Sequence, residues 1–117
     1  MSLEMDLMMV LQACCPEVFV GRAPATTNPP YVTWQHVGGP ILRYVDGQAP
    51  DKRHPEIQVN AWAATAMQAF TLSKEIEEAI CTSELFSAKA VSEPVASFDD
   101  ADIASGYLQT FSILGDR

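Results

Sequence analysis

The run Glu56-Ile57-Gln58-Val59-Asn60-Ala61-Trp62 alternates without a break. Ile57, Val59 and Ala61 point one way, and Glu56, Gln58, Asn60 and Trp62 the other. Side chains of an extended chain alternate between two faces, so this is a strand with one side set against a core. Within three residues the period changes. Thr65 is placed to cap a helix running to about Thr82, with Ala69, Leu72, Ile76, Ala79 and Ile80 on one stripe. Lys74, Glu75, Glu77 and Glu78 take the solvent side. A strand that buries one face, followed directly by a helix that buries one stripe, predicts a sheet with helices packed on it.

Upstream, Tyr31-Val-Thr-Trp-Gln-His-Val37 is β-branched and aromatic and reads as a strand ending at Gly38-Gly39. Ile41 to Val45 is a second strand candidate, and Asp46 to Pro55 is a polar loop rich in turn residues, expected to be mobile. Leu3 to Cys15 reads as a helix. Ser2 stands at its N-cap, Leu3, Leu7, Val10, Leu11 and Cys14 form its apolar stripe, and Pro16 stops it. Gly21 to Pro30 is full of breakers and is expected to be a loop or an extended crossing. Downstream, Lys89 to Phe98 and Tyr107 to Leu114 read as two strands joined by the acidic stretch at 98–102. The expected order is α-β-β-β-α-β-β: an α+β domain whose antiparallel sheet of about four to five strands carries both helices on one face.

One domain fits the 117 residues, and a 48% hydrophobic content argues against disorder. No apolar run approaches the ~20 residues of a membrane helix, and no secretory signal is read, so the expectation is a soluble cytosolic chain with no membrane contact. Fifteen Asp and Glu against seven Lys and Arg give a net charge of −8, with only Lys52-Arg53 adjacent among the bases. That balance disfavours a grip on nucleic-acid phosphates.

The residues that would carry chemistry are few and dispersed. His36 and His54 are the only histidines, and no Gly-x-Ser-x-Gly elbow accompanies them. Cys14, Cys15 and Cys81 lack any Cys-x-x-Cys spacing and are expected to be reduced thiols, with no metal set among them. Gly38-Gly39 precedes Pro40 and a strand candidate, which suits a turn better than a phosphate cradle. Asp99, Asp100 and Asp102 lack the glycine and glutamate of a calcium loop and read as a solvated turn. The expectation is no enzyme, no cofactor and no metal.

Three segments together look like a known family: Pro30-Tyr31-Val32-Thr33-Trp34, Arg43-Tyr44-Val45-Asp46-Gly47 and Ile57-Gln58-Val59-Asn60-Ala61-Trp62-Ala63. In order and spacing the chain resembles the tail-completion, or tail-to-head joining, proteins of long-tailed bacteriophages and prophages, departing from their pattern at Gly38-Gly39-Pro40. The resemblance covers nearly the whole chain, as one tail-completion-like domain. It implies a structural virion subunit at the head-proximal end of the tail, present in host cytoplasm during assembly. It further implies a self-assembled hexameric ring that contacts the tail tube and head-connector proteins while DNA passes through without specific binding. Tail-terminator and joining roles are not separated by it. Candidate assembly residues on this reading are Asp46, Gln48, Asp51, Lys52, Arg53 and His54 of the polar loop, with Trp62 as an aromatic anchor. Trp34 and Trp62 each have core packing as the plainer expectation. The alternatives are a small cytosolic ligand-binding or regulatory α+β domain, or an enzyme using Cys14, Cys15 or His36.

Overall fold

The computed structural model describes residues 2–24, 27–39, 52–98 and 105–116. Helix α1 spans Leu3–Cys14, with the Ser2 hydroxyl accepting from the Met5 amide at its N-cap. Leu3, Leu7 and Leu11 lie on one stripe and are wholly buried. Helix α2 spans Ala66–Thr82, with Thr65 accepting from the Gln68 amide; Ala69, Ser73, Ile76 and Ile80 are its buried side. Both helices begin where a short polar side chain satisfies an amide that the helix itself leaves free.

Among the described residues, seven strands form the sheet: β1 (Val18–Val20), β2 (Tyr31–Gly38), β3 (Lys52–Arg53), β4 (Glu56–Ala63), β5 (Ser87–Ala90), β6 (Val95–Phe98) and β7 (Ser105–Asp116). The expected two-layer α+β arrangement and element order hold, and the sheet is larger than expected. It is also mixed. β1 runs parallel to β2, with Phe19 opposite Thr33, whereas every other pairing is antiparallel. A three-residue Val-Phe-Val strand between Pro16 and Gly21 is too short to give a periodic signal, which is why it does not stand out in the sequence.

The Lys89–Phe98 strand expected from the sequence is instead two short strands, both paired to β7. The partners slip between them: Ala90 faces Phe111, but Val95 faces Leu108. Pro94 cannot donate to a ladder. Buried Gln109 of β7 fills part of the break, its amide donating to the Ser92 carbonyl at 2.9 Å. Part of the expected 46–55 loop is strand. Lys52 and Arg53 pair with Asp116 and Gly115, in the same register that places Glu56 opposite Ser112. β3 and β4 are therefore one ribbon, interrupted at Pro55, whose carbonyl still accepts from Ile113 at 3.0 Å. The second strand candidate at 41–45 and the acidic turn at 99–102 lie outside the described residues.

The alternation read from β4 is observed. Ile57, Val59, Ala61 and Ala63 are buried beneath the helices with Val32, Trp34, Phe111 and Ile113. Trp34 is a core residue, 3% exposed, its ring nitrogen 3.1 Å from the Met8 sulfur. Where β2 ends, Gly38 shifts the register against β4 and Gly39 turns at φ +109. A Cβ on Gly39 would stand 2.8 Å from both the Glu56 amide nitrogen and the His54 carbonyl oxygen, so the chain passes there only as glycine.

In urea unfolding, Phe111→Ala should cost about 3–5 kcal/mol, as a large core truncation does. Gly39→Ala should cost about 1–3 kcal/mol from backbone strain alone. Met9→Ala, on the solvent side of α1, should stay within about 0.5 kcal/mol; an equal loss there would mean that the assigned core is wrong.

Candidate functional site

The strand register sorts every sheet residue onto one of two faces. Helices α1 and α2 cover the face built from Val32, Trp34, Ile57, Val59, Phe111 and Ile113, and no described element covers the other. Across β2, β4 and β7 the open face presents Tyr31, Thr33 and Gln35, then Gln58, Asn60 and Trp62, then Gly106, Leu108, Thr110 and Ser112. None of these carries a charge, on a chain whose net charge is −8. Glu56 and Lys89 stand at its margins.

Trp62 is half-buried on this face. Its indole stacks on Tyr31 at a centroid distance of 6.0 Å, and Tyr31 meets Phe19 edge-on at 6.5 Å. The indole nitrogen donates to the Thr33 hydroxyl at 3.2 Å, and Thr33 is only 7% exposed although it belongs to the uncovered side. Directly opposite Trp62 stands Gly106, where a Cβ would come within 2.8 Å of the indole ring. The ring therefore lies down over β7. Further along the face the contacts are neutral amide and hydroxyl pairs: Gln35 to Gln58 at 2.8 Å, and Ser97 to Asn60 at 3.1 Å.

The candidate residues of the 46–55 segment fall elsewhere. Asp46, Gln48 and Asp51 lie outside the described residues, and Lys52 is placed by its backbone pairing with Asp116. Arg53 reaches the helix layer, where one guanidinium nitrogen lies 2.8 and 2.7 Å from the two Glu4 carboxylate oxygens. His36 Nε2 is 3.0 Å from the same carboxylate. His54 is on the open face, its Nε2 2.8 Å from the Ser112 hydroxyl. Trp62 lies eight residues along the ribbon from His54, about 25 Å at the usual rise per residue. Among the described candidates, Lys52, Arg53 and His54 lie at one end of the ribbon and Trp62 toward the other. Sequence reading missed Phe19, Tyr31 and Gly106. The phase of Tyr31-Val32-Thr33-Trp34 was the available signal, since Tyr31 and Thr33 share a face opposite to core Trp34.

Elsewhere the chemistry is quiet. Burial pushes the Cys14, Cys15 and Cys81 thiols up, and neighbouring Glu75 raises Cys14 further. Thiols held in the protonated form are poor nucleophiles. Ser112 and His54 are in hydrogen-bond contact, but nothing among the described residues orients His54 through its second nitrogen, as a catalytic serine–histidine pair requires. An open groove of about 500 Å³ runs beside the start of α2, lined by Pro29, Pro30, Ala63, Met67, Leu72 and Glu75.

Burial works against the Glu4 charge, but hydrogen bonds from His36, from its own backbone amide and from Arg53 outweigh it and hold the carboxyl below its ordinary range. A depressed carboxylate contributes stability above its unfolded value, and that contribution disappears as pH falls through its folded one. Glu4→Gln should therefore cost about 1 kcal/mol at pH 7 and close to nothing once pH has fallen below the folded value. Unfolding titrations across that range would detect it, and a pH-independent loss would rule out the ionic tie.

No curated protein matches the chain. Among the solved structures that match, one aligns over 96% of this chain and 96% of its own at 12% identity, with a TM-score of 0.49. The model of one protein family, described as tail completion protein gp17, matches residues 6–111, from the first turns of α1 into β7. With the match spanning both helices and the sheet, the chain belongs to the gp17 family of bacteriophage tail completion proteins, structural components of the phage tail.

Proposed function

We propose that the chain is a ring subunit that completes the tail and joins it to the head connector, with DNA passing through the ring. The family match over residues 6–111 carries this reading. The charge of −8 supports it, because a subunit beside a DNA channel must not hold phosphates. A hexamer closes by head-to-tail contacts, in which each copy offers two different patches to its neighbours. The two ends of the β3–β4 ribbon suit that need. Arg53 and His54, with Asp46, Gln48, Asp51 and Lys52 in the adjoining sequence, serve one patch, and Trp62 serves the other. On this reading the protein resides at the head-proximal end of the virion tail, after assembly in host cytoplasm, with the tail tube and connector as partners. Terminator and joining roles are both compatible with these features.

The test is complementation. Tails assembled without this protein should not join DNA-filled heads, and adding the purified chain should restore joined particles at least tenfold, counted by electron microscopy. Restoration absent, with the protein missing from purified tails, would sink the proposal. A thermal shift with a small metabolite seated beside Pro30 and Met67 would favour the ligand-binding alternative instead.

A further inference from the structure

We infer that the sheet face around Trp62, open and uncharged among the described residues, is where a second copy of this chain seats. The inference rests on the ring reading above and adds the surface to it. Charge makes the choice of occupant. Each copy carries −8, so a second copy meets least repulsion on a surface that presents no acid of its own. The outer side of α2 is the wrong surface for self-contact, because Glu75 and Glu78 are exposed there; a foreign basic partner would use that side. The face around Trp62 has the opposite character. Its central positions are neutral, and its apolar groups gather toward one end as Phe19, Tyr31 and Trp62, with exposed Val95 nearby. Interface cores are depleted of charge and enriched in aromatics in this manner.

Size agrees. Five strand positions across at ~4.8 Å, by eight residues at ~3.3 Å, give a face of about 600 Å², near the ~800 Å² per partner of a standard interface. The polar groups in the middle already satisfy one another, so covering them strands few donors. Thr33, whose hydroxyl accepts from the Trp62 indole, is already buried on this face within a single copy. A neighbour laid on the same face would extend that cover to Tyr31 and Phe19.

Sedimentation velocity over a concentration series is the measurement, with circular dichroism melting to establish that each variant is folded. Wild-type protein should associate as concentration rises. Gln58→Lys, which plants a charge in the middle of the face without touching the core, should weaken association at least tenfold, and Trp62→Ala should do likewise. Glu78→Lys on α2 should leave association unchanged or strengthen it. Folded face variants that associate as wild type does would overturn the surface assignment and leave the ring reading standing. So would face variants that form normal rings yet fail to join tails, since a different tail component would then own the face. A wild-type chain that stays monomeric but restores joining would overturn self-association at this face while the tail-completion role survived.

Discussion

The antiparallel ladder between the ribbon Lys52–Ala63 and strand Ser105–Asp116 sets the geometry of the remaining elements. Its register decides which side chains face the helices and which face away. A slip of one residue would send Ile57, Val59, Phe111 and Ile113 outward and bring Gln58, Asn60 and Thr110 beneath the helices. β2 reads its own phase from β4, and β1 reads its phase from β2. On the far side, β5 and β6 take theirs from β7. The helices only complete what the ladder has sorted, by laying Leu3, Leu7, Leu11, Ile76 and Ile80 on the apolar side.

The same sorting separates electrostatics from packing. Ionisable side chains concentrate on the helix layer and at the ends of the ribbon, as with Glu4, Arg53 and His36 at one end. Among the described residues, the centre of the side left without helices is neutral, and an aromatic assembly lies toward the other end. A protein of the gp17 family works in the company of other tail proteins. The division between a charged layer and a neutral layer gives such a subunit two chemically distinct ways to meet a neighbour.

Local periodicity explains what was legible in the sequence. The β4 alternation and the two helix stripes repeat within a few residues, so they survive without knowledge of partners. Trp62 could be placed opposite Ile57 and Val59 for the same reason. Features made by chain-distant pairing could not be read in this way. The parallel docking of β1, the two-residue slip between β5 and β6, and the Arg53–Glu4 contact across 49 residues all depend on which strand lies beside which. Lys52-Arg53 looked like loop because polar composition masks a strand whose pairing is backbone-driven. The candidate site was half legible: its tryptophan was visible, but the tyrosine, phenylalanine and glycine that fix the ring's pose come from other strands.

Pro55 leaves a mark on the long ribbon. It offers Ile113 a carbonyl but no N–H in return, so the ladder is thinned between its outer pairs and the body of β4. Opening that begins at Lys52 and Arg53 meets a weak rung there and need not spread to Glu56. The ribbon therefore has a short end, tied to the helix layer through Arg53 and Glu4, that can open separately from the core. For a protein that works among other tail proteins, such an end lets the chain adjust locally and leaves the sorted faces of the sheet undisturbed.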